Sequence, residues 1–134
     1  MAEDERKTQI DPIMMSVLLH KFESTSEEMS VAMQRTARSP IFSEASDFVC
    51  AILDRQSQLV AQGVRSIPVL AATASYCCKG VTKYFKDEVY PGDIILNNDP
   101  YSGGNHIMDV TCVAPVFYKD KLLFWGLNRA HHID

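Results

Sequence analysis

After Asp11, the residues Met14, Leu18, Phe22, Thr25, Met29 and Met33 follow one another at steps of three or four. That spacing predicts one face of a long amphipathic helix. Asp11-Pro12 supplies its start, a side-chain cap followed by proline at the first helical position. Ser39-Pro40 stops it, so the helix is expected to run to about Arg38 and to span roughly 40 Å. The Met-rich stripe is expected to be core. A helix of that length could also outreach its own domain. The first ten residues are polar and charged, and are expected to be a disordered N-terminus.

The pattern then shortens. Residues 48–53 form an apolar run suited to a strand, 54–57 read as a turn, and 58–62 return as its hairpin partner. A second helix is expected from Ser66 and Pro68, with Val69, Leu70, Thr73, Cys77, Val81, Tyr84 and Phe85 facing inward. Pro91-Gly92-Asp93 marks a turn, and 93–97 a short, mostly buried strand. A glycine-containing loop, 98–105, leads into strand 109–117, whose Pro115 suggests an edge or a bulge. Tyr118-Lys119-Asp120 turns the chain into a last strand, 122–128. The predicted class is α+β: a long helix, a β-hairpin, a second helix and an antiparallel meander.

Composition excludes more than it identifies. With 134 residues the chain is one domain at most. A net charge of −4 leaves no basic face for a phosphate backbone, so no nucleic-acid partner is expected. No apolar run approaches the ~18 residues of a membrane span. The charged N-terminus lacks the apolar core of a secretion signal, so a cytoplasmic location is expected. Cys50, Cys77, Cys78 and Cys112 form no C-x-x-C pair and are expected to be small buried hydrophobes in a reducing compartment, with adjacent Cys77 and Cys78 pointing different ways.

Candidate chemistry lies near the C-terminus. His106 and Asp109 form H-x-x-D, and His131 follows in Arg129-Ala130-His131-His132. A hairpin turning at Lys119-Asp120 sets Asp109 opposite Ala130 or His131, depending on register. A one-residue slip would offer His132 instead. Two imidazoles and a carboxylate suit a divalent metal such as Mn²⁺, Fe²⁺ or Zn²⁺, with positions left open for water or substrate. Asp99, Arg129 and His132 are the candidate catalytic residues beside it, and Asp134 is also near. The alternative is that these are ordinary surface or core histidines. No P-loop, Ser-His-Asp or G-x-S-x-G pattern is present.

In these same residues the sequence resembles the hydantoinase B/oxoprolinase family. The matching blocks include Gln34-Arg35-Thr36-Ala37-Arg38-Ser39-Pro40, Asp47-Phe48-Val49-Cys50, Leu59-Val60-Ala61-Gln62 and Pro91-Gly92-Asp93. Asn98-Asp99-Pro100-Tyr101, Gly103-Gly104-Asn105-His106, Asp109-Val110-Thr111 and Arg129-Ala130-His131-His132 continue them in family order. Family members are several hundred residues long, so residues 11–134 are expected to be the N-terminal part of a hydantoinase B-type domain. The resemblance implies a subunit of an ATP-dependent enzyme that opens a cyclic amide such as a hydantoin, 5-oxoproline or a lactam. Alternatives within the family are ketone carboxylases of the acetone and acetophenone type; a non-catalytic accessory chain is the third reading. ATP would sit on a hydantoinase A-type partner subunit, giving a hetero-oligomer that acts on a small molecule. In members with a metal site, held here to be manganese or zinc, the ligands match His106, Asp109 and His131. Many relatives read His-Ile-Pro-Val-His where this chain has Ser66-Ile67-Pro68-Val69-Leu70, so any role of those histidines is missing.

Overall fold

The computed structural model describes residues 11–86 and 88–132; the expectation for the first ten residues, and Asp134, lie outside them. Helix α1, Pro12–Thr36, starts where Asp11 accepts a hydrogen bond from the Ile13 amide at 2.9 Å. A four-residue helix, α2 (Pro40–Ser43), follows it and was not anticipated. Strands β1 (Phe48–Asp54) and β2 (Leu59–Gln62) form the first hairpin, and helix α3 spans Pro68–Phe85. Strand β3 (Ile95–Asn97) is followed by a 3-10 turn at Pro100–Ser102, then by β4 (Asp109–Tyr118) and β5 (Lys121–His131). The α+β class is as expected. The two predicted β regions merge, however, into one antiparallel sheet of order β2-β1-β5-β4-β3.

Alternation along the strands sends neighbouring side chains to opposite faces. Val49, Ala51, Leu53, Val113, Trp125 and Leu127 face α3 and form the main core with Leu70, Ala71, Ala74, Cys78 and Val81. Phe48, Cys50 and Ala130 face the other way, against Met29, Met33 and Phe42. The inner face of α3 is therefore rotated from the expected one: Val69 is exposed, and Tyr84 is 81% exposed. Small residues at 71, 74 and 78 let the helix lie close to the sheet, which reading only the large side chains conceals. In β3 only Ile95 is buried, while Ile94 and Leu96 face solvent on the uncovered side of the sheet. Cys50, Cys77 and Cys78 are buried free thiols, and burial pushes Cys50 and Cys78 up to about 11. Cys77 and Cys78 do face different neighbours, Asn97 and the core respectively.

The stripe on α1 is core only in its second half. Met29 and Met33 pack inward, but Met14 is 56% and Leu18 42% exposed. The fully buried positions of α1 are Ser26 and Ser30. A Cβ on Gly63 would lie 2.2 Å from the Ser30 hydroxyl, so small residues on both sides set this close approach. Contact between the Phe22 and Phe124 rings, 4.9 Å apart, marks where α1 leaves the sheet. Ile13, Met14, Met15, Val17, Leu18 and Leu19 beyond it are all exposed. A helix apolar over most of its circumference is normally covered. The folded chain should therefore bind a hydrophobic dye, and Leu18→Lys with Met14→Lys should remove most of that fluorescence. A dye-negative wild-type chain with a sharp cooperative melt would refute this.

Register at the last hairpin decides the site. Lys119 and Asp120 both have positive φ, 46° and 60°, as a two-residue type I′ turn demands. Tyr118 pairs with Lys121 and Phe117 with Leu122, but Val116 pairs with Phe124. Leu123 is thus an extra residue, a β-bulge beside Pro115. The bulge shifts every later pair by one and sets Asp109 opposite His131 rather than Ala130. Pro115 also lies past Val113, the last residue of β4 paired to β3, so the edge expectation holds there. Among the described residues no helix is long and apolar enough to cross a membrane.

Candidate metal centre

Asp109 begins β4 and His131 ends β5, so the pair sits at one end of the sheet on the face that carries α3. His131 Nδ1 lies 3.3 Å from Asp109 Oδ1. His106 reaches the same carboxylate from the preceding loop, with Nε2 3.5 Å from Oδ2. A hydrogen bond from the Asp109 amide to the His106 carbonyl, 3.0 Å, closes that loop onto the strand. The two imidazoles meet edge to face, with centroids 4.8 Å apart. One ligand atom from each of the three residues falls within a 4.8 Å group.

Burial grades the site from floor to mouth. Asp109 is 1% exposed, the His131 side chain 28% and that of His106 50%. Asp109 Oδ2 is buried and has no hydrogen-bond partner. A buried carboxylate oxygen left alone is costly, and a cation would relieve it. One donor atom from each residue lies within 4.8 Å of the others, and the two histidine–carboxylate separations, 3.3 and 3.5 Å, run to different Asp109 oxygens. The donor set therefore fits a divalent ion. The three residues line a cavity of about 430 Å³ with Asp47, Ile67, Val69, Leu70 and Asn105. Its size suits a small molecule.

The other three candidates stand elsewhere. Asp99 caps the 3-10 turn, accepting from the Tyr101 amide at 3.0 Å and the Ser102 hydroxyl at 2.6 Å. Those bonds, the hydroxyl first, hold its carboxyl below the usual range. It lines a different cavity, against Val81 and Phe85. His132 points away from the cluster and meets the Phe42 ring edge-on at 5.2 Å, because alternation along β5 turns it to the other face. Arg129 is fully buried and does not line the cavity. It donates to Thr111, Thr73 and the Gly103 carbonyl, so its fork is occupied inside the protein.

Residues 11–134 match the sequence profile of the family described as hydantoinase B/oxoprolinase. The chain belongs to the hydantoinase B/oxoprolinase family. It is 36% identical over 126 residues to 5-oxoprolinase PfmaA of Pestalotiopsis fici, covering 94% of this chain and 10% of that protein. It is 35% identical over 125 residues to the caprolactamase subunit beta of Pseudomonas jessenii, covering 93% of this chain and 21% of the subunit. The crystal structure of that ATP-dependent caprolactamase superimposes with a TM-score of 0.84 over 92% of this chain and 21% of that one. Nucleotide-free acetone carboxylase shares the fold, with a TM-score of 0.78 over 92% of this chain and 16% of that one, at 20% identity. The chain thus spans between a tenth and about a fifth of the length of these relatives.

One residue of this hydantoinase B-type site escaped the sequence reading. Asp47 lines the same cavity, and its carbonyl accepts the His131 amide at 3.2 Å. It reaches the site because β1 pairs with β5, Phe48 opposite Ala130. No local signal announces that pairing, since 66 residues, 55–120, separate the two strands.

Proposed function

We propose that this chain forms the metal-holding part of a hydantoinase B-type subunit in an enzyme that opens cyclic amides at the expense of ATP. The observation that carries the reading is the His106–Asp109–His131 cluster lining a cavity large enough for a small ring. The names of its relatives, 5-oxoprolinase and caprolactamase, supply the reaction class.

His106, Asp109 and His131 would hold the ion, manganese or zinc, and Asp47 lines the same cavity. A divalent ion there would supply a Lewis acid for an amide carbonyl or an acidified water. Asp109 provides the buried negative charge that the ion needs. The Asp47 carbonyl, which accepts from the His131 amide at 3.2 Å, anchors the backbone beneath the His131 ring. Ile67, Val69 and Leu70 form an apolar wall against which ring methylenes can pack. Asn105 and Asp47 offer polar groups for an amide N–H. Water is the nucleophile, and the product is a ring-opened amino acid.

ATP would sit on a hydantoinase A-type subunit or domain, as the family resemblance implies. The chain alone should therefore show no ATP turnover. Combined with the rest of its subunit and such a partner, it should give ATP turnover stimulated by lactams, hydantoins or 5-oxoproline, and lost in His131→Ala. Turnover only with ketones plus bicarbonate would replace ring opening by carboxylation. Stimulation by neither class would leave an accessory role and defeat the proposal.

A further inference from the structure

Arg129 is a buried cation whose partners among the described residues are all neutral. Burying a guanidinium is costly unless its donors are satisfied, so a residue that only filled space here would be apolar. What distinguishes arginine is a rigid planar fork that donates in several fixed directions at once. Each prong of this fork ends at a different element. Nε donates to the Thr111 hydroxyl on β4 at 2.7 Å. Nη1 donates to the Thr73 hydroxyl on α3 at 2.6 Å. Nη2 donates to the Gly103 carbonyl in the loop at 3.0 Å.

The sequence positions of these contacts matter. Arg129 stands two residues before His131 on β5. Thr111, directly opposite Arg129, stands two residues after Asp109 on β4. Gly103 stands three residues before His106. One guanidinium therefore links the three chain segments that carry the three clustered residues, and braces them on α3. The two strands are already held by their own ladder, so the prong with most to do is the one to the loop. Other bonds also hold the loop: Asn97 donates to the Ser102 carbonyl at 3.2 Å, Asn98 to the Ile107 carbonyl at 3.1 Å, the Gly104 amide to the Asp99 carbonyl at 3.1 Å and the Asp109 amide to the His106 carbonyl at 3.0 Å, and Arg129 adds the tie between Gly103 and β5.

We infer that Arg129 is the positioning residue of the site, a clamp that holds the His106 loop at the distance from Asp109 and His131 that a metal ion requires. The inference rests on the metal reading above for its purpose, but the clamp itself is testable without metal. Arg129→Lys keeps the charge and loses the fork. Thr73→Val removes a single prong, on α3 and outside the cavity lining, in case the lysine variant does not fold. Thr73→Ser restores the hydroxyl. Two measurements on the intact chain decide the matter: zinc or manganese affinity by titration, and amide hydrogen exchange across 103–107.

Arg129→Lys should weaken metal binding tenfold or more and Thr73→Val about threefold. Both should speed exchange across 103–107 while the amides of β1 keep their protection, and Thr73→Ser should behave as wild type. Wild-type exchange in the loop of folded Arg129→Lys and Thr73→Val would overturn the clamp. Faster loop exchange with unchanged metal affinity would reduce Arg129 to a residue that stabilises the fold, and would also overturn the inference. A wild-type chain that takes up no metal defeats the metal reading instead, and loop exchange then decides alone whether Arg129 holds the His106 loop.

Discussion

Asp109→Asn should abolish metal binding while leaving the metal-free protein as stable as before, or more so. The two effects have different physical sources. Asp109 is the buried, negatively charged member of the cluster, with one oxygen that has no hydrogen-bond partner. Without an ion only the His131 contact at 3.3 Å and the His106 contact at 3.5 Å offset the burial of that charge, and the amide removes it at nearly constant volume. With an ion it is the main attraction. Changes outside the ligands themselves already cost roughly 10–100-fold in metal affinity, so loss of this carboxylate should exceed about 100-fold. Zinc at a thousand times its dissociation constant should stabilise the wild-type fold by about 4 kcal/mol and Asp109→Asn by nothing measurable. Thermal melts with chelator and with metal read both signs. Elemental analysis should give about one equivalent in the wild type, lost in His106→Ala and His131→Ala. Undiminished metal in both histidine variants would dismiss the centre. A metal-free Asp109→Asn protein much less stable than wild type would mean that the carboxylate serves the histidines through ordinary hydrogen bonds.

Local signals made the elements legible, whereas long-range packing hid several of their faces. Asp11-Pro12 gave the start of α1, and Lys119-Asp120 gave the hairpin turn. The H-x-x-D spacing and the return strand are enough to bring His106, Asp109 and His131 to one end of the hairpin. Choosing between His131 and His132 required the bulge at Leu123, and nothing in that residue marks it as the extra one. The Met stripe of α1 failed at Met14 and Leu18 because periodicity says which face is apolar and not how far the sheet beneath it extends. Asp47 was missed because its place depends on the β1–β5 pairing. Arg129 was expected beside the site, whereas its fork is turned to Thr111, Thr73 and Gly103, because a side chain's direction and partners depend on which threonines face it across the core. Thr111 and Thr73 carry no such label in a sequence.

Gly103→Ala should be among the most damaging changes to the loop, and comparison with Gly92→Ala shows why. Both glycines have nearly the same positive φ, +92° and +93°. An alanine at either position carries a backbone strain of about 1–2 kcal/mol. Their surroundings differ completely. A Cβ on Gly92 meets nothing within 4 Å. A Cβ on Gly103 would lie 2.5 Å from the Tyr76 carbonyl carbon, 2.6 Å from its oxygen and 2.6 Å from the Cys77 nitrogen. Those are backbone atoms in the middle of α3 and cannot move aside, so the loop must lift. Overpacking of this kind adds about 1–3 kcal/mol. A total near 3 kcal/mol should lower the melting temperature of Gly103→Ala by about 10 °C, against only a few degrees for Gly92→Ala. Lifting the loop also withdraws the Gly103 carbonyl from Arg129 and swings His106 away from Asp109. Metal affinity should therefore fall in Gly103→Ala and stay at the wild-type value in Gly92→Ala. Equal losses in the two variants would show that backbone strain alone is at work and that the loop's seat on α3 does not set the position of His106.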